Sequence, residues 1–143
     1  MVRGPRAVAL CLLSCTMVAG CVAAPPNETG VKVLGFSSSP DHLWLRGELD
    51  GKTEFVTYNW TPDVGTWRVE WRGHLTEGEL GISLTGADHD VKWQRRFTRL
   101  SEPVILADVQ AKGPVGVGQW DLDVLYAGVH GEFSLEAWRL PEV

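Results

Sequence analysis

Beyond position 21 the chain has no cysteine; the three it carries are Cys11, Cys15 and Cys21. A disulfide scaffold and a thiolate metal cluster are therefore excluded from the rest of the chain. Helical periodicity is also missing. After Val31 no apolar period of 3.6 is sustained for two turns. Basic charge is scarce: 13 Lys and Arg stand against 18 Asp and Glu, for a net charge of −5. That balance lacks the basic footprint of a nucleic-acid partner, and it disfavours electrostatic adhesion to anionic lipid. Catalytic spacings are absent as well. His42, His74, His89 and His130 are scattered, with no His-x-His or His-Glu-x-x-His. No serine lies in a Gly-x-Ser-x-Gly context. The glycine-rich stretch 113–118 precedes a strand pattern, whereas a phosphate cradle needs a helix N-terminus behind it. No cofactor is implied.

What is present begins with a processing segment. Met1 to Arg6 carries Arg3 and Arg6 and no acid, and Ala7 to Val18 is then almost wholly apolar. A charged stretch followed by a short apolar one is what export machinery reads. The apolar run is about a dozen residues, and a spanning helix needs about 20. It is too short to remain as a span. Loss of Arg3 and Arg6 lowers the net charge by two, to near −7.

The apolar run ends in Val18-Ala19-Gly20-Cys21. This resembles the lipobox of bacterial lipoproteins: an aliphatic residue, two small residues, then the cysteine that becomes residue one. The resemblance covers residues 1–21. It implies a diacylglyceryl thioether on Cys21, cleavage before it, and acylation of the new amine. It implies an extracytoplasmic domain held by lipid on a cell membrane or outer membrane. Two acyl chains anchor stably where one barely does. Residues 21–30 follow as a tether, since Val22 to Gly30 reads VAAPPNETG. Asn27-Glu28-Thr29 fits a glycosylation sequon, which a bacterial lipoprotein is not expected to use.

Residues 31–143 read as one all-β domain, an antiparallel β-sandwich of immunoglobulin-like or jelly-roll type. In Thr66 to Arg72, the residues Trp67, Val69 and Trp71 alternate with Arg68, Glu70 and Arg72. Period two sends the first set to a core and the second to water. Glu79 to Leu84 and Gln119 to Val124 repeat the pattern, and further strands are expected over 31–36, 43–48, 53–59, 91–98, 103–109 and 131–138. About nine short strands with turn signals every 8–12 residues argue for a sandwich or barrel. Asp50-Gly51 between two alternating segments predicts a hairpin. A weak internal repeat runs through the pattern. Val64-Gly65-x-Trp67 recurs as Val117-Gly118-x-Trp120, and Gly78-Glu79-Leu80 as Gly131-Glu132-Phe133, both offset by 53 residues.

Three features carry candidate chemistry. Seven tryptophans are many for 143 residues. Trp67, Trp71 and Trp120 fall on apolar faces, but Trp44 and Trp138 have the opposite parity to their apolar neighbours. Outward-facing, they offer aromatic platforms to a sugar or protein. Asp88, His89 and Asp90 form an acidic turn with oxygen and imidazole donors suited to a cation, without the ligand set of a calcium loop. Asp121 and Asp123 share a strand face, with no third acid placed to make a hydrolytic pair. These observations favour a non-enzymatic, lipid-anchored envelope protein that binds a protein or glycan partner. The alternatives are a metal-assisted hydrolase with a dispersed site, and a structural lipoprotein that occludes a membrane neighbour.

Overall fold

The structure, a computed structural model, describes the backbone of Cys21–Ala23 and residues 29–112 and 118–142. Residues 1–20, read from the sequence as an export segment, the sequon residues Asn27 and Glu28, and most of the glycine-rich stretch lie outside the described residues. Within the span read as a tether, Cys21–Ala23 pair as strand β1, and Thr29 and Gly30 make a turn.

Six more strands follow: β2 (Val31–Ser39), β3 (His42–Trp60), β4 (Gly65–Thr85), β5 (Val91–Thr98), β6 (Val104–Ala111) and β7 (Trp120–Arg139). All pairings are antiparallel, in the order β1-β2-β3-β7-β4-β5, with β6 also on β4. No helix occurs among the described residues, so none is long and apolar enough to cross a membrane.

The antiparallel sandwich follows from β3, β4 and β7, strands of 19, 21 and 20 residues. β7 lies between the other two over nearly its whole length. Near the middle all three shift register together, at Asp50–Glu54, Leu75–Glu79 and the facing residues of β7. Bulges bend strands and tighten their twist. Here they fold one sheet into two layers. The first layer joins β2, His42–Asp50 of β3, the end of β7, the start of β4, and β6, with β1 on the outer edge of β2. The second joins the end of β3, the start of β7, the end of β4, and β5.

The expected strands are therefore joined where the sequence separates them. Those over 43–48 and 53–59 are the two halves of β3, and β4 and β7 arise likewise. The Asp50-Gly51 hairpin is corrected: these residues turn β3 from one layer to the other, with Gly51 at φ 93° and Asp50 opposite His130 on β7. A bend and a hairpin ask for the same left-handed glycine, so local chemistry does not separate them.

The core lies between the layers and is aromatic. Trp60 meets Trp67 edge-on at 4.6 Å and Trp120 at 5.9 Å. The two repeated tryptophans thus share one cluster at one end of the sandwich. At the other, the Trp71 ring stacks on Phe97 at 3.8 Å and on Phe133 at 5.5 Å. Buried indole N–H groups need acceptors. Trp60 donates to the Ser39 carbonyl and Trp67 to that of Asp63, both at 2.9 Å. Lys52, 2% exposed, is the one buried charge among the described residues. It pairs with Glu54 and lies 5.1 Å from the Tyr126 ring centroid.

Candidate functional site

The sandwich has two outer faces, and strand register determines what each presents. Directly opposite residues on paired strands share a face. On the second layer, Phe55, Leu125, Gly81 and Arg96 form one such row across β3, β7, β4 and β5. Thr57, Asp123, Ser83 and Gln94 form the next. All of these but Thr57 line a trough of about 460 Å³, with Arg95 on its rim.

Gly81 makes the trough. A Cβ there would meet nothing nearer than the Leu125 Cβ, at 3.6 Å. One missing side chain in a row of four leaves a dip between its neighbours. On one side stand Phe55, 63% exposed, and Leu125, 46% exposed. Polar groups make up the next row and the β5 side. Thr57 donates to the Asp123 carboxylate at 2.6 Å, and Arg96 pairs with Glu79 at 2.6 Å. The Ser83 hydroxyl, the Gln94 amide and the exposed Arg95 guanidinium have no side-chain hydrogen bond or ion pair among the described residues. An exposed ring beside unpaired donors and acceptors can receive a ligand with one apolar face and a hydroxylated edge. No histidine lines the trough, and Ser83 has no hydrogen-bonded base among the described residues.

Trp44 and Trp138 project from the first layer's outer face, as their parity predicts, and each is half-buried. Trp44 stands opposite Glu136, so Trp138 is its diagonal neighbour on β7. Neither ring is a bare platform. Trp44 lies over Gly35, where a Cβ would meet the indole at 3.1 Å, and the Arg46 guanidinium covers it 5.0 Å from the ring centroid. Trp138 stands across from His42, whose Nε2 meets the Glu136 carboxylate at 2.7 Å.

The acidic turn 88–90 links β4 to β5. One Asp88 carboxylate oxygen accepts from the Lys92 ammonium at 2.6 Å, and the other accepts from the Asp90 amide at 3.2 Å. The Lys92 hydrogen bond holds the Asp88 carboxyl below the usual aspartate range. His89 occupies the left-handed region at φ 65°. Among the described residues no group of three or more His, Cys, Asp and Glu side chains converges to hold a metal. Asp121 and Asp123 do share the second layer's outer face, where Asp121 accepts from Gln119 at 3.3 Å. The structure puts Asp123 in the trough and places Cys21 opposite Ser37 at the sheet edge.

Sequence reasoning missed Phe55, Gly81, Gln94 and Leu125. Phe55 alone had a visible signal: it has the opposite parity to Val56, Tyr58 and Trp60 in its strand, as Trp44 has in its own.

No protein-family model matches the chain, and no curated protein matches it. Solved structures similar to it include the carbohydrate-binding module TmCBM61 in complex with β-1,4-galactotriose, at 12% identity and TM-score 0.40, covering 85% of this chain and 81% of that one. A carbohydrate-binding module from Cellvibrio mixtus lichenase 5A, in complex with cellotriose, is 11% identical with TM-score 0.42, covering 88% and 92%. CENP-C of Drosophila melanogaster bound to CAL1 is 6% identical with TM-score 0.37, covering 84% and 81%. The carbohydrate-binding neighbours are β-sandwiches, and likeness at this level concerns fold alone.

Proposed function

We propose that this chain is a lipid-anchored, non-enzymatic β-sandwich that binds a glycan in the trough of its second layer. One observation carries the binding site: the Gly81 dip separates an exposed aromatic ring from unpaired hydroxyl, amide and guanidinium groups. A pyranose has matching chemistry, with an apolar face for Phe55 and Leu125 and hydroxyls for Ser83, Gln94 and Asp123. A volume of about 460 Å³ lies within the roughly 300–1,000 Å³ of small-ligand sites. A protein partner would need more area than this dip supplies. The anchor rests on Val18-Ala19-Gly20-Cys21, and sedimentation of the Cys21→Ser protein away from membranes tests it separately.

Gly81→Val tests the trough directly. Gly81 is not in the left-handed region, and a Cβ there meets only the Leu125 Cβ at an ordinary contact distance, so valine fits its strand while filling the dip. In affinity electrophoresis through gels holding neutral, acidic or amino-sugar polysaccharides, at least one polymer should retard the soluble Cys21→Ser protein. Adding Gly81→Val or Phe55→Ala should weaken that retardation about tenfold, corresponding to about 1.4 kcal/mol. Trp44→Ala with Trp138→Ala should leave it unchanged. Equal retardation of the Gly81→Val protein overturns the trough, and its loss only in the tryptophan variant moves the glycan to the first layer.

A further inference from the structure

From the register of β1 we infer that the outer face of the first layer, around Trp44 and Trp138, lies on the headgroups of the bilayer. This rests on the lipid-anchor reading of Cys21. That residue stands opposite Ser37 on β2, and Ser37 stands opposite Trp44 on β3. Strands are spaced about 4.8 Å apart, so the Cys21 backbone lies two spacings, about 10 Å, from that of Trp44. The residue that carries the lipid is thus itself a rung of the sheet. The face beside it is held at the depth where the acyl chains enter the membrane.

The chemistry of that face suits the position. Its rows contain Trp44 and Trp138 together with Val33, Val104 and Leu106, and these last three are exposed. Tryptophan favours the headgroup level, where an apolar ring and a polar N–H are both accommodated. Most charges on the face are already matched. Arg68 holds Asp108 through two hydrogen bonds of 2.9 and 3.1 Å, and Arg72 meets Glu70 at 2.6 Å. His42 meets Glu136 at 2.7 Å, and Lys32 meets Glu48 at 3.4 Å. A face whose charges are mostly paired, with Arg46 and Glu132 of opposite sign left over, has little attraction for an anionic surface and little repulsion from a zwitterionic one. The occupant is accordingly a phosphatidylcholine-like or phosphatidylethanolamine-like headgroup layer. The trough, on the opposite side of the sandwich, then opens away from the membrane.

The test uses the lipidated protein in phosphatidylcholine vesicles containing brominated acyl chains. Brominated lipid quenches only the tryptophans that approach the bilayer. The wild-type protein should float with the vesicles and lose a substantial part of its emission. Trp44→Phe with Trp138→Phe should float equally and lose at least about half of that quenching, since interfacial tryptophans carry it. Flotation with no quenching, or with equal quenching in the double variant, overturns the inference and leaves the anchor standing. Failure of the wild type to float overturns the anchor reading, and this inference with it.

Discussion

Asp88 offers its carboxylate to two donors, the Lys92 ammonium at 2.6 Å and the Asp90 amide at 3.2 Å. The sequence showed three potential ligands in a row, Asp88, His89 and Asp90. Four residues further on, Lys92 was equally visible. That it folds back onto Asp88 depends on the turn, in which the Gly86 amide bonds the Asp90 carbonyl at 2.9 Å. An aspartate held below its usual range by a cation contributes stability above its unfolded-state pKa and loses it as pH falls through the lowered, folded value. Lys92→Ala should therefore bring the Asp88 titration back up toward the ordinary aspartate range. Wild type and variant should converge in stability under acid, once both carboxyls are protonated. Carbon-detected NMR of the carboxyl resonance measures the first effect and urea midpoints across acidic pH the second. An unmoved titration would show that Lys92 does not set it. Trp44 teaches a related lesson. Alternation in the sequence placed it outward, and it is outward, but the Arg46 guanidinium over its ring and the Gly35 beneath it come from register, which one sequence does not print.

At the scale of elements, the alternating strands were legible because period two needs only local residues. Trp67, Val69 and Trp71 are buried, as are Leu80, Ile82 and Leu84. The joining of these segments into single long strands was not legible, because a bulge interrupts the alternation as a turn does. The repeat contained the missing information in disguise. Gly78 and Gly131, its second matched pair, both sit at the bend line, at φ 81° and 126°. A Cβ at Gly78 would collide with the Gly128 backbone, and one at Gly131 with the His74 backbone. Left-handed geometry alone costs a non-glycine residue roughly 1–2 kcal/mol, and the backbone collision adds to it. Gly78→Ala should thus lower stability by about 2 kcal/mol or more, while Gly81→Ala, a few residues along the same strand, should stay within about 0.5 kcal/mol. Denaturant midpoints with matched slopes decide between them. Equal effects at the two positions would mean that the bend is not specified by glycine.

At the scale of the molecule, the long strands make the two layers one cooperative body with two separate outer faces. Sheets packed face to face lie about 10 Å apart, so the trough and the Trp44 face are separated by the whole core. The trough itself was beyond the sequence, because it is an absence. Gly81 reads as an ordinary strand glycine until its row partners Phe55, Leu125 and Arg96 are known, and they come from three other strands. The same registry that assembles the trough sets it opposite the residue expected to carry lipid. Binding in the trough and attachment through Cys21 should then proceed without interfering, since sites with no shared partners couple weakly. The lipidated protein on phosphatidylcholine vesicles should bind the retarding polysaccharide with a dissociation constant within about twofold of the soluble Cys21→Ser protein, a difference below about 0.5 kcal/mol. Titration calorimetry of both forms against one soluble fragment of that polymer measures it. A tenfold weakening on vesicles would mean that the bilayer covers Phe55 and Gly81, so that the second layer rather than the first lies against the membrane.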